Sequence, residues 1–150
     1  MKKAIIIAAI SLFLFSCKKE NTTVTVNRLA FGVSYGFCVG NCAKFFLLNN
    51  DNLFADSMDR FTTPLLFKNT ALAQDKYNLA KELLTTFPKY LTLHSNETFG
   101  CPDCVDQGAI YIEATINGTT SYWKIDTDTG KQPDAVKAYI NNLTTIVSQL

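Results

Sequence analysis

Five cysteines are the residues of this 150-residue chain whose type and spacing best suit chemistry. Four of them form two close pairs, Cys38-x₃-Cys42 and Cys101-x₂-Cys104, with 58 residues between the pairs. Cysteines at such spacings are typical of disulfides, of four-thiolate zinc sites and of dithiol redox centres. Cys17 stands apart from them, near the N-terminus.

Residues 1–16 have the pattern of an export signal that ends at Cys17. Lys2 and Lys3 precede a 12-residue apolar segment, which is too short for a membrane span of about 20 residues but fits a signal-peptide core. The residues Leu14-Phe15-Ser16-Cys17 resemble a bacterial lipobox, which implies cleavage before Cys17 and attachment of a diacylglycerol to its thiol. The alternatives are an ordinary secretory signal and a spanning helix.

The residues after Cys17 predict where the anchored protein lies. Acyl chains such as palmitate, buried at about 0.8 kcal/mol per CH₂, would hold Cys17 on a membrane. Lys18-Lys19-Glu20 resembles the export signal of Bacteroidota lipoproteins. We therefore expect an outer-membrane lipoprotein, periplasmic or surface-exposed, with a polar tether over residues 17–27 and one domain over 28–150.

For the four remaining cysteines of an exported chain, disulfides are the first expectation. Four cysteines allow three connectivities, and their spacing does not choose between them. A bond between Cys101 and Cys104 fits the Pro-containing turn that separates them. Bonds across the two pairs would close loops of about 60 residues and stabilise the fold by about 4 kcal/mol.

A structural zinc ion held by Cys38, Cys42, Cys101 and Cys104 is the second interpretation, although an exported domain of this size can build a core without metal. A redox dithiol at Cys101 and Cys104 is the third. Such a motif normally lies where a strand enters a helix, whose N-terminus lowers the thiol pKa, whereas here it precedes a predicted strand.

Other chemistry has little support in the sequence. His94 is the single histidine, which limits any His-based triad or metal cluster to one member. Residues 126–130 (DTDTG) begin like a calcium loop, but Lys137 stands where such a loop needs Glu. A formal charge of +1 gives no electrostatic reason to bind nucleic acid. Asp103 and Asp106 flank the cysteine turn and could orient a group there, although turn formation explains Asp equally well.

Apolar and turn patterns predict the elements that position the cysteines. Strands are expected over 28–35, 43–48 and 53–59, an irregular segment over 61–69, and a helix over 71–87 with Thr70 as its N-cap. Residues 108–116 and 119–126 flank Asn117-Gly118, the sequence of a type I′ hairpin. This turn predicts pairing of residue 116 with 119, 114 with 121, 112 with 123 and 110 with 125. Pro133 opens a final amphipathic helix.

These elements predict an α+β domain, a small antiparallel sheet of hairpins packed by two helices. Thr70 lies 32 residues after Cys38, and Pro133 lies 32 residues after Cys101. The matching offsets raise the alternative that the domain is a duplicated ββα unit. The residues FGVSYGFCVGNC and GCPDCVDQGAIYIE resemble a family of small Bacteroidota lipoproteins with no established activity. That resemblance implies localisation and fold, and no mechanism.

The sequence favours a non-catalytic module, stapled by disulfides, that binds an envelope protein or glycan or has a structural role. Tyr111 and Tyr122 lie on the face of the hairpin opposite its apolar face and form the candidate binding surface, because aromatic residues are frequent in binding hot spots. The alternative is an envelope redox or zinc protein that uses the two cysteine pairs.

Overall fold

Alternating apolar residues build a seven-stranded sheet within residues 23–150, the part of the chain that the computed structural model describes. Its strands are β2 (Arg28–Ser34), β3 (Ala43–Asn49), β4 (Leu53–Asp56), β5 (Phe67–Ala71), β7 (Thr98–Phe99), β8 (Ala109–Ile116) and β9 (Thr119–Asp126). Their order is β5-β4-β3-β2-β8-β9-β7, antiparallel except between β7 and β9. The predicted α+β class is confirmed. The predicted signal peptide and Cys17 lie outside the described residues.

A short pair of strands and three helices complete the fold. The strands are β1 (Thr23–Val24) and β6 (Phe87–Pro88), and the helices are α1 (Gln74–Ala80), α2 (Lys89–Leu93) and α3 (Asp134–Gln149). None of the helices in residues 23–150 is long and apolar enough to cross a membrane. Val26, within the predicted tether, is fully buried and donates its N–H to Leu84 O at 2.8 Å. The packed domain therefore begins N-terminal of Arg28.

The hairpin of β8 and β9 has the predicted register. Ile116 pairs with Thr119 and Ile112 with Trp123, and the turn residues Asn117 and Gly118 have φ angles of 51° and 81°. One face of this hairpin carries fully buried side chains, including Ile112 and Trp123. The turn chemistry and the apolar alternation specify one register, because a slip by one residue would expose these side chains.

The main core lies between the sheet and the helices. The apolar stripe of α3 is buried against it: Val136, Tyr139, Ile140, Leu143, Ile146 and Val147. Trp123 lies at the centre, with its ring centroid 5.5 Å from that of Phe87, and its Nε1–H donates to His94 O at 2.7 Å. This core comprises most of the buried apolar residues, so it supplies most of the hydrophobic stabilisation.

The predicted helix over 71–87 is wrong at both ends. Thr70 lies in the edge strand β5, and Ala71 pairs with Phe54 of β4, because sheet pairing there outweighs helix propensity. The helix begins at Gln74 without a side-chain cap and continues from Lys81 to Leu84 as a 3₁₀ turn. The segment from the first cysteine pair to α1 therefore contains three strands, β3, β4 and β5. The segment from the second cysteine pair to α3 contains two strands, β8 and β9.

A second, smaller core covers the other face of the sheet. Beta strand β4 ends at Asp56, earlier than predicted, and residues 57–66 then cross this face. Phe61 from this crossing segment packs on Phe45 and Tyr111, at centroid distances of 5.6 and 5.1 Å. Gly32 pairs with both Phe45 and Tyr111 on its neighbouring strands, and a Cβ there would lie 2.7 Å from the Phe45 Cα. Glycine is therefore required where the backbone and the aromatic cluster approach closely.

Candidate functional site

Both cysteine pairs lie at one end of the sheet, which we call the cysteine end. The first loop joins Ser34 of β2 to Ala43 of β3, and the second leads into Ala109 of β8, which pairs with Ser34. Cys38 is bonded to Cys42 and Cys101 to Cys104, with Cα atoms 5.6 Å apart in each pair. The cysteines are therefore disulfide-bonded locally, and neither bond joins the two loops.

The carboxylate of Asp103 connects the two loops. Its Oδ2 accepts the N–H of Gly36 at 2.7 Å, and its Oδ1 accepts the N–H of Gly108 at 3.0 Å. Asp103 has a φ of 61°, and Asp is one of the few residues that adopt this left-handed conformation readily. One side chain thus fixes the second loop internally and holds the first loop beside it.

Asp126 holds the base of the second loop. Its carboxylate, with the residue only 3% exposed, accepts the N–H of Asp128 at 2.9 Å and the N–H of Cys101 at 2.8 Å. Hydrogen bonds from these two backbone groups, that of Asp128 first, lower the pKa of the Asp126 carboxyl. The amide of Gln107 adds a longer contact of 3.4 Å to the same carboxylate.

This arrangement suits stapling better than thiol chemistry. The cysteines of both pairs are joined within their own loops, so a four-thiolate zinc site would require both bonds to be reduced. Cys101 precedes a turn rather than an α-helix, and its N–H donates to the Asp126 carboxylate. A neighbouring negative charge disfavours a thiolate, which is the reactive form of cysteine.

The disulfide-bonded loops carry exposed apolar side chains. Phe37 is 88% exposed, Val39 is fully exposed, and Val105 on the second loop is 80% exposed. Exposed residues of this kind, scattered singly, are ordinary on protein surfaces, but here they share the cysteine end. Their backbones are restrained by the disulfides, by Asp103 and by a hydrogen bond from the Arg60 guanidinium to Cys38 O at 3.2 Å.

The two tyrosines of the predicted binding surface stack on each other, with ring centroids 6.2 Å apart, but differ in exposure. Tyr111 is 4% exposed because Phe61 and the rest of the crossing segment cover it, whereas Tyr122 is 43% exposed. Burial is the main cause that raises the Tyr111 pKa to about 12, with the carboxylate of Glu113 second. Tyr111 is therefore a packing residue, and only Tyr122 is available to a partner.

The remaining candidates have structural roles. The His94 ring stacks on Tyr90 at a centroid distance of 4.1 Å and lies 3.3 Å from the carboxylate of Glu97. Asp128 accepts the N–H of Gly130 at 2.8 Å, which closes a 3₁₀ turn in the segment that begins like a calcium loop. Local sequence does not predict the hydrogen bonds from Asp103 to Gly36 or from Asp126 to Cys101, because these partners are 67 and 25 residues away in the chain.

Comparison with known proteins adds no family to this description. No protein-family model matches the chain, and no curated protein matches it at a significant level.

Proposed function

We propose that this protein is a lipid-anchored protein of the bacterial envelope that binds a partner protein through the cysteine end of its sheet. The observation that carries the proposal is the double restraint on the two loops. Each loop is closed by a disulfide, and Asp103 joins one loop to the other. Apolar side chains on restrained loops bind at a low entropic cost, because little freedom remains to be lost.

The exposed residues of the loops fit a protein partner. Phe37 offers a large apolar ring, and aromatic residues are enriched among those that dominate binding energy. Val39 and Val105 would supply the surrounding apolar contact. The sequence of residues 1–17 supports export and lipid attachment, which would present these loops within the envelope.

The carboxylates at the site favour binding over catalysis. Asp103 and Asp126 both accept backbone N–H groups, and the pKa of Asp126 is lowered. A carboxyl group with a low pKa is a weak base near neutral pH and a poor proton donor. Both carboxylates accept hydrogen bonds from the backbone of the loops, which is typical of residues that hold a loop in its folded conformation.

Photo-cross-linking in intact cells tests the proposed surface. A photoreactive phenylalanine analogue is placed at Phe37 or at Val105, and we expect a discrete protein adduct from each position. The matched control is the same analogue at Leu93, which is also exposed and apolar but lies in α2. Absence of adducts from both loop positions, or the same adducts from Leu93, would contradict the proposal.

A further inference from the structure

A cleft opens between the sheet and α3, beside the first disulfide-bonded loop. Its volume is about 630 Å³, within the range of about 300–1,000 Å³ usual for small-molecule sites. Its walls come from β2, β3, β8, α3 and the segment that follows β9. The apolar part of the lining comprises Val33, Ala43, Ile110, Ile140 and Val147, with Tyr35 and Asn41 contributed by the first loop.

A buried amide of this cleft has an acceptor without a donor. Gln132 is only 5% exposed, and its Nε2 donates to Asp126 O at 2.8 Å. Within residues 23–150 its Oε1 has no hydrogen-bond partner. A buried acceptor without a donor is unfavourable, so a ligand whose donor displaced the groups that cover Oε1 would recover that energy.

Three hydroxyl groups of the lining also present acceptors. The Thr144 hydroxyl donates to Ile140 O at 3.0 Å, and the Ser148 hydroxyl donates to Thr145 O at 2.6 Å. The Thr127 hydroxyl donates to the carbonyl of Gln107 at 3.2 Å. Each hydroxyl has one proton, so its remaining capacity is to accept. The cleft is therefore suited to a ligand with several hydroxyl or N–H donors.

Lys44 is the charged residue among those that line the cleft. Its Nζ lies 5.9 Å from the Phe46 ring centroid on the helix side of the sheet, and it lines the cleft. The ion pairs within residues 23–150 join Arg28 to Glu113, His94 to Glu97 and Lys137 to Asp134, so none engages Lys44. An ammonium group without a carboxylate partner favours an anionic ligand and disfavours an amine.

We propose that this cleft binds a sugar that carries a carboxylate, such as a uronic acid unit of a glycan. The sugar hydroxyls donate to Gln132 Oε1 and to the threonine and serine oxygens, and the carboxylate pairs with Lys44. The apolar wall and Tyr35 provide contact for the sugar ring. The inference shares with the proposed function a binding role and the first loop, and it concerns a different ligand in the adjoining cleft.

NMR titration of the detergent-solubilised mature protein tests this proposal. The probes are trigalacturonate, trimannuronate and the same trisaccharides with their carboxylates reduced to alcohols. We expect at least one acidic trisaccharide to shift the amide signals of Asn41, Gln132 and Thr144, and to bind more tightly than its reduced form. No shift in the cleft with either acidic probe, or equal affinity for the reduced form, overturns the proposal.

Matched lysine variants separate a specific site from general charge attraction. Lys44→Met should weaken binding of the acidic probe about tenfold, in line with the loss of a charge-assisted hydrogen bond. Lys124→Met is the control, because Lys124 also lies over a phenylalanine ring, 5.6 Å from the Phe61 centroid, but on the other side of the sheet. Equal losses in the two variants would overturn the assignment of Lys44.

Two further variants test the acceptors. Gln132→Met removes the unsatisfied oxygen and should weaken binding of both the acidic and the reduced trisaccharides. Ser148→Ala removes a hydroxyl acceptor at an exposed helix position, where folding is not at risk, and should also weaken binding of both. Unchanged affinity in both variants contradicts the donor-rich ligand. If no sugar binds while cross-linking from Phe37 persists, the cleft inference fails and the proposed function stands.

Discussion

At the scale of single residues, the carboxylates of Asp103 and Asp126 hold the cysteine loops in place by accepting hydrogen bonds from backbone N–H groups. Asp126 lies almost out of contact with water, and its charge is stabilised by N–H groups of Asp128 and Cys101. A buried carboxylate without such donors would be destabilising. The folded state therefore depends on Asp126 remaining ionised.

Asp126→Asn should lower the free energy of unfolding at pH 7 by about 1.5–3 kcal/mol, the usual range for hydrogen bonds to a charged group. The pKa of Asp126 is lowered on folding, so its contribution is present above the unfolded-state pKa of about 3.9 and disappears as the pH falls through the folded value. Urea unfolding should thus show a difference from wild type that shrinks at acidic pH.

The control for this pH series is Asp51→Asn, in the exposed turn between β3 and β4, where we expect little change at either pH. If the free energy of unfolding of Asp126→Asn is lower than that of wild type by the same amount at every pH, the second loop requires the shape of the side chain rather than its charge.

At the scale of elements, local chemistry predicted what lies close in sequence. The β8–β9 hairpin has the expected register, because Asn117-Gly118 and the apolar alternation act within a few residues. The sequence predicts Thr70 as a helix N-cap, because the pairing of β5 with β4 depends on a partner strand that local patterns do not identify. The links of Asp103 and Asp126 to the cysteine loops were missed for the same reason.

Tyr111 and Tyr122 test the second core at this scale. Tyr111→Ala should destabilise the protein by about 3–5 kcal/mol, the usual result of removing a buried aromatic ring. Tyr122→Ala, on the neighbouring strand but 43% exposed, should change stability far less. Thermal unfolding of the two variants makes the comparison, and equal effects would contradict the covering of Tyr111 by residues 57–66.

At the scale of the whole molecule, the sheet is covered on both faces, by helices on one and by residues 57–66 on the other. The helix-side core could be anticipated from the stripes of α3 and the hairpin, whereas the contact of Phe61 with Tyr111 joins residues 50 positions apart with no local signal. Both cores are formed by residues of this described part of the chain, 23–150.

Cys17→Ser is the test of the predicted anchor. The substitution removes the thiol that would accept a diacylglycerol, so we expect a protein that is uncleaved or released in soluble form, with its domain still folded. Detergent phase partitioning should place the wild-type protein in the detergent phase. Wild-type protein in the aqueous phase would mean that the chain is secreted without a lipid.

The short reach of both disulfides has a consequence for oxidative folding. The bonded cysteines are separated by 4 and 3 positions, whereas any cross-pairing would close a loop of about 60 residues. Closing the larger loop costs roughly 2 kcal/mol more in chain entropy, so each cysteine meets its correct partner first. We expect a thiol oxidase alone to complete the bonds, with no requirement for a disulfide isomerase.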